Sequence, residues 1–340
     1  MPFPCRRWLP TYNASGRYVF PESSPISARR FAPGSISCMT EPGKSREAVL
    51  AVDIGGTKTA CGAVGRGGEI LVRHQVRTPK EGDAEVVFAA VERLVEDVLG
   101  EIPDGNRVVA CGTGCAGPMK GLDTIVSPLN MPAWKDFPLR RRLEAVSGLP
   151  TFVDNDVKAL ALGEGWAGTA RGVANYMSMV VSTGVGGGIV IDGRLLEGAS
   201  GNAGHVGHVI VDPEGHPCSC GGAGCLEAEA SGTAIAAITG RDPREASPEV
   251  VARTGRLVGM AVASVVNLLD LELCTVAGSV ALGFGDPFFE AANAELRERS
   301  RLSFTQGASI VPCAMGATAP LVGAGAVGWS GLGVDVLHDR

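Results

Sequence analysis

Ala48-Val49-Leu50-Ala51-Val52-Asp53-Ile54-Gly55-Gly56-Thr57-Lys58-Thr59-Ala60-Cys61-Gly62-Ala63-Val64 is the stretch whose reading decides the fold. Its first five residues are apolar without alternation, the pattern of a strand buried on both faces. Asp53 to Thr59 then supply turn-forming residues, and the apolar run resumes at Ala60. The segment therefore predicts a β-hairpin closed by a Gly-rich turn.

Working outward, a helix is expected from about Asp83 to Leu99, where Val86, Val87, Ala90, Val91, Leu94, Val95 and Val98 recur at helical spacing. Val108-Val109-Ala110-Cys111 reads as a further buried strand that opens into Gly112-Thr113-Gly114-Cys115-Ala116-Gly117. Those letters match G-x-G-x-x-G, yet Pro118 and Gly121 forbid the helix whose N-terminus would hold a pyrophosphate, so no dinucleotide site is inferred. Thr151–Val153 predicts a strand leading through Asp154-Asn155-Asp156 into a helix past Leu162. Tyr176–Val181 is the next strand; Ser182-Thr183-Gly184-Val185-Gly186-Gly187-Gly188 forms its turn, and Ile189 resumes it, so a second hairpin echoes the first. A long apolar helix near 248–271, a strand over 273–277 ending at Gly278-Ser279, and a helix of small residues near the C-terminus complete an alternating α/β pattern.

Two Gly and Thr turns on either side of a D-N-D strand end suggest two backbone cradles for a polyphosphate. Backbone N–H groups of Gly55, Gly56 and Gly184 and the hydroxyls of Thr57 and Thr183 are the donors, with Gly278 at a later strand end. Asp53 suits Mg²⁺ held through water, and Lys58 suits neutralisation of phosphate charge. Neither turn is a P-loop, since G-x-x-x-x-G-K-[ST] does not occur. Asp156 is the candidate general base, because phosphoryl transfer to a sugar needs a carboxylate to accept the hydroxyl proton, and Asn155 would orient the same sugar. The competing reading of D-N-D is a helix cap.

His208, Cys218, Cys220 and Cys225 form H-x9-C-x-C-x4-C, four soft ligands with glycines between the thiols. That is the spacing of a closed tetrahedral zinc site, structural because no position remains for a reactive water. Glu227, Glu229 and His205 lie close to it in sequence, so the metal would lock polar side chains around a ligand; His216 is assigned to the surface.

The chain has 340 residues, 45% of them hydrophobic, which predicts two domains. A net charge of −6 offers no basic stripe for nucleic acid, and no apolar run approaches the roughly 18 residues that span a bilayer. A soluble, reduced, cytoplasmic protein is expected, with most of the other cysteines that have apolar neighbours as small core fillers. Residues 1–47 are rich in Pro, Ser and Arg and predict a disordered extension; translation is expected to start at Met39, and native peptides from before it would overturn that.

From Ala48 to Trp329 the chain resembles the ROK family (repressors, uncharacterised frames, sugar kinases), through D-I-G-G-T-K, N-D, S-T-G-V-G-G-G, G-H-V-G-H and C-S-C-G-G-A-G-C-L-E. The resemblance implies an actin-like, hexokinase-type α/β fold: a small lobe over 48–158 plus 318–335 and a large, zinc-bearing lobe over 159–317. It implies ATP between the phosphate turns and a sugar touched by Asn155, Asp156, His208 and Glu227, with Asp156 activating the 6-hydroxyl. It also suggests a homodimer. Where the glucokinase pattern looks like E-x-G-H, this chain has His205-Val206-Gly207-His208, similar to bacterial N-acetylmannosamine kinases. Exchanging a carboxylate for an imidazole at His205 alters how a hydroxyl near C1 or C2 is held, so either glucose or N-acetylmannosamine is a candidate acceptor. The other functional classes are a sugar-responsive regulator, for which residues 1–47 are too short and Pro-rich to supply a winged helix-turn-helix, and an inactive sugar sensor.

Overall fold

The protein was analysed as a computed structural model, which describes residues 46–120, 124–128 and 131–338. In chain order the elements are β1 (Arg46–Ile54), β2 (Lys58–Gly65), β3 (Ile70–Arg77), α1 (Ala84–Gly100), β4 (Asn106–Cys115), β5 (Met119–Lys120) and β6 (Ile125–Val126). There follow α2 (Leu139–Ser147), β7 (Thr151–Asn155), α3 (Asp156–Ala167), β8 (Tyr176–Val181), β9 (Val185–Ile191) and β10 (Arg194–Leu195). The chain continues through α4 (Leu226–Ala230), α5 (Gly232–Thr239), α6 (Pro248–Leu269), β11 (Leu273–Ala277), α7 (Ser279–Phe284), α8 (Asp286–Arg299), β12 (Ser309–Pro312) and α9 (Ala319–Gly331).

Two five-stranded sheets result, in the orders β3-β2-β1-β4-β7 and β10-β9-β8-β11-β12. They share one plan. In each, the first strand folds back antiparallel on the second (β1 on β2, β8 on β9) and pairs in parallel on its other side (β4, then β7; β11, then β12). The two hairpins that echo one another in sequence are thus equivalent parts of two similar sheets.

The first sheet is covered on both faces. Val87, Val91, Leu94, Val95 and Val98 of α1 pack with Leu50 and Val52, while Val49, Ala51 and Ala110 face α3 and α9. Asp83 starts α1 by accepting from the amides of Glu85 (3.0 Å) and Val86 (3.1 Å). Val86, assigned to the apolar face from its spacing, is instead 47% exposed, because capping places it in the solvent-facing first turn. The second sheet packs its core against α6 and α8. Helix α3 contacts strands of both sheets and is buried from Lys158 through Trp166, taking the charged Lys158 and Glu164 in with its apolar residues.

Three boundaries differ from expectation. Strand β1 begins at Arg46, not Ala48, so Arg46 and Glu47 belong to the sheet and the rest of the expected extension, Met39 included, lies outside the described residues. Gly112–Cys115 continue β4 and do not open a loop: a Cβ on Gly112 would collide with the Ala324 carbonyl and with Gly328 of α9, so the glycine permits close helix–sheet contact. Gly186–Gly188 likewise lie inside β9, which resumes at Val185, leaving Ser182–Gly184 as the turn. The five described cysteines outside the metal segment, Cys61, Cys111, Cys115, Cys274 and Cys313, are buried and free, as core fillers should be.

Candidate active site

Parallel pairing of β1, β4 and β7 aligns their carboxyl ends, the edge at which α/β sheets present ligand-binding groups. Asp53 is in register with Gly114, and Gly114 with Asp154. Asp156 follows as the first residue of α3. A Cβ on Gly114 would stand 3.4 Å from Asp156 Cα and 3.8 Å from Asp53 Oδ1, so both acidic residues stand beside this glycine, and their carboxylates are near enough to feel each other's charge. Both are recessed among protein groups while keeping part of their surface open. Burial, followed by the charge of Asp156, pushes Asp53 up to about 7, against the opposing pull of Lys58. Burial also raises Asp156, opposed by the amides of Val157 and of Asp156 itself and by the nearby His205.

The first glycine turn is closed by Gly55 N–H donating to Lys58 O at 3.1 Å. Thr78 completes it, donating its hydroxyl to Gly55 O (2.6 Å) and its amide to Thr57 O (3.0 Å). Sequence reading missed Thr78, which stands just after β3 with no motif around it. Thr57 and Lys58 are exposed at the tip. At the β7–α3 junction the cap reading holds: Asn155 Oδ1 and Asp156 Oδ1 both accept from Val157 N–H, at 3.2 and 2.9 Å. Capping through the oxygen leaves the Asn155 amide donors free, and Asn155 Nδ2 would be 3.2 Å from a Cβ on Gly117.

The second turn is held by a different set of residues. Gly232 N–H donates to Ser182 O (2.7 Å), the Thr233 hydroxyl to Thr183 O (2.9 Å), and Ser182 Oγ lies 2.9 Å from Ser279 Oγ. Gly278, at φ +104°, passes so near Val181 that a side chain there would strike its backbone. Ser279 and Thr233, each opening a helix behind this turn, were not singled out from the sequence. Glu227 reaches the same place: its Oε2 accepts from Val185 N–H at 2.9 Å and would be 2.7 Å from a Cβ on Gly184.

Glu227 is set there by the metal segment, since Cys225 caps α4, in whose first turn Glu227 lies. His208 Nδ1 and Cys218 Sγ are 3.7 Å apart, Cys220 Sγ and Cys225 Sγ also 3.7 Å, and all four donor atoms lie within 4.8 Å of one another. A tetrahedral ion with metal–sulfur bonds of about 2.3 Å has sulfur–sulfur edges of about 3.8 Å, so this donor set fits zinc. Cys218 N–H to Gly222 O (2.8 Å) and Gly221 N–H to Cys218 O (3.0 Å) shape the knuckle. His205 and His208 bracket one turn of 3-10 helix with ring centroids 6.1 Å apart, and His205 Nδ1 is 2.9 Å from Asn202 O. His216 lies at the surface as expected, and its amide (2.6 Å) and Nδ1 (2.8 Å) both meet the buried Glu229, which also pairs with Arg253.

The ROK family model matches residues 49–328. The chain belongs to the ROK family. Among curated relatives of this ROK protein, N-acetylmannosamine kinase from Haemophilus influenzae is 35% identical over 251 residues, covering 69% of this chain and 82% of the relative. The Shigella flexneri N-acetylmannosamine kinase is 35% identical over 252 residues, 70% of this chain and 84% of that one. Among solved structures, the ROK hexokinase from Thermus thermophilus superposes with TM-score 0.71 at 34% identity, over 84% of this chain and 99% of that one. A ROK glucokinase from Streptomyces griseus, in complex with glucose and AMPPNP, gives TM-score 0.72 at 29% identity over 83% and 99%. A ROK transcriptional regulator, a homologue of the E. coli MLC protein, gives 0.73 at 28% over 86% and 80%. The fold of this ROK protein is the actin-like, hexokinase type. Among the described residues no helix is long and apolar enough to cross a membrane.

Proposed function

We propose that this ROK protein is an ATP-dependent sugar kinase that phosphorylates the 6-hydroxyl of a hexose or N-acylhexosamine, with glucose and N-acetylmannosamine the acceptors to test first. The observation that carries this reading is the convergence of Asp53 and Asp156 on Gly114, at the carboxyl edge of the first sheet and beside a glycine turn. Likeness to the kinases named above supports it. Sugar recognition alone requires no second carboxylate at that edge.

Asp156 is the general base: it takes the proton of the 6-hydroxyl while that oxygen bonds to the terminal phosphorus and ADP departs. The same burial that raises its proton affinity suits it to that task. Asn155, His205, His208 and Glu227 hold the sugar. Asp53, Gly55, Gly56, Thr57 and Lys58 bind nucleotide phosphates from the first turn, and Thr183, Gly184 and Gly278 from the second. Asp53 would hold magnesium, which arrives with ATP and spreads the charge of the phosphates. His208, Cys218, Cys220 and Cys225 would hold a structural zinc that supplies a closed cross-link and no reactive position. The lobes run over 48–158 plus 318–335 and over 159–317, the protein acts as a homodimer, and its compartment is the cytoplasm.

Likeness to the MLC homologue supports a second reading, a sugar-responsive regulator, and an inactive sugar sensor would share most of the same residues. One substitution separates them. Asp156→Ala should abolish turnover in a coupled assay across glucose, mannose, N-acetylglucosamine and N-acetylmannosamine, while calorimetric sugar affinity stays within about tenfold. An unimpaired kcat removes Asp156 as the base, and a wild-type chain that binds sugar yet turns over none of the panel favours the sensor.

A further inference from the structure

Lys158 is an ammonium with only 2% of its side chain exposed, two residues beyond Asp156 on the opposite side of α3. A cation in the first turn of a helix is opposed by the backbone dipole, and its burial costs more still unless it is fully paired. It has three partners. Asp154 Oδ1 lies 2.9 Å away, next to the end of strand β7, Glu197 Oε2 meets it from the loop that follows β10, and Gly201 O accepts at 3.3 Å from the same loop. These carboxylates keep the ammonium charged although burial alone would lower its proton affinity.

The loop so gripped is the one that delivers His205. Ala203 N–H donates back to Glu197 O at 3.0 Å, which closes residues 197–203 at their base. Asn202 lies at the far side: its carbonyl holds His205 Nδ1 at 2.9 Å, and its side-chain amide stands 3.5 Å from both the amide and the carbonyl of Met119. One ammonium therefore ties the junction carrying Asn155 and Asp156 to the loop carrying His205.

We propose that Lys158 is a positioning residue for acceptor binding: its contacts with Asp154, Glu197 and Gly201 fix loop 197–205 so that His205 is presented to the sugar in one orientation. Because a carbonyl can only accept, the Asn202 contact fixes the proton on Nδ1 and leaves Nε2 of the neutral ring as an acceptor for an N–H or O–H of the bound sugar. The second half of this inference rests on the sugar-kinase reading; the grip on the loop does not.

The test compares Lys158→Met, Lys158→Arg and Glu197→Gln with the wild type, by steady-state kinetics and by amide hydrogen exchange over 197–205. Lys158→Met should raise the sugar KM about tenfold or more, the loss of charge-assisted hydrogen bonds, while the ATP KM changes less than about twofold. Lys158→Arg should recover part of that loss, and exchange in 197–205 should quicken in Lys158→Met and Glu197→Gln. Glu197 is 60% exposed on a loop, so its substitution remains informative should Lys158→Met fail to fold. An unchanged sugar KM in folded variants overturns the positioning role, and unchanged exchange overturns the grip itself. If the wild type phosphorylates no sugar, the exchange measurement still decides the grip, so failure of the kinase reading and failure of this one remain distinct.

Discussion

Asp53 carries an electrostatic conflict: it must stand beside Asp156, in a recess that disfavours its charge. Its carboxyl rises from 3.8 to about 7 on folding. Between those values the folded protein binds a proton that the unfolded chain has released, so this residue withdraws stability as pH rises from 4 to 7 and its effect is level above that. Asp53→Asn mimics the protonated form. Relative to wild type without nucleotide, the variant should gain thermal stability progressively from pH 4 to pH 7, with the gain constant to pH 8.5, by calorimetry at each pH. Its phosphotransfer should fall by about 100-fold or more, since a neutral amide is a poor ligand for the metal that travels with ATP. A variant no more stable at pH 8 than at pH 4.5, relative to wild type, would mean that the recess does not disfavour the charge.

The elements differ in how much they owe to single residues. Strand β4 and helix α9 touch through Gly112, Ala324 and Gly328, where no side chain can be added without moving backbone. Gly112→Val should lower stability by about 2–3 kcal/mol through overpacking, seen as a lower urea midpoint at unchanged slope. Helix α4 would depend instead on a metal held by His208, Cys218, Cys220 and Cys225. Removing the ion with a chelator should leave far-ultraviolet dichroism nearly intact, since the segment from His208 to Cys225 holds little regular structure. The same treatment should release one equivalent of zinc and weaken sugar affinity about tenfold or more through loss of the Glu227 position, which re-addition of zinc should reverse. Retained affinity in the zinc-free protein would separate the metal from the sugar site. His208 to Cys225 was legible as a unit because ligand spacing is local; that Cys225 also caps α4 was not, because a cap is a matter of backbone angles.

At the scale of the molecule, both hairpins, the D-N-D junction, α1, β8, β11 and the metal segment were readable, since each announces itself within about twenty residues. What stayed hidden was contact between distant segments. Gly112–Cys115 carried loop letters yet lie in a strand, because a helix two hundred residues later requires the glycine. Thr78 closing the first turn, Ser279 and Thr233 behind the second, and Lys158 between two carboxylates were likewise beyond local pattern. The same dependence has a consequence for synthesis. The first sheet needs α9 as one of its two covering layers, so on the ribosome its strands emerge long before residues 319–331 can shield them. A chain ending at Cys313 should be recovered mainly as aggregate, whereas one ending at Val336 should stay in the supernatant on centrifugation. The nascent polypeptide must therefore wait, with one apolar flank only partly shielded by α3, until its last helix is made, an interval in which chaperone capture competes with self-association.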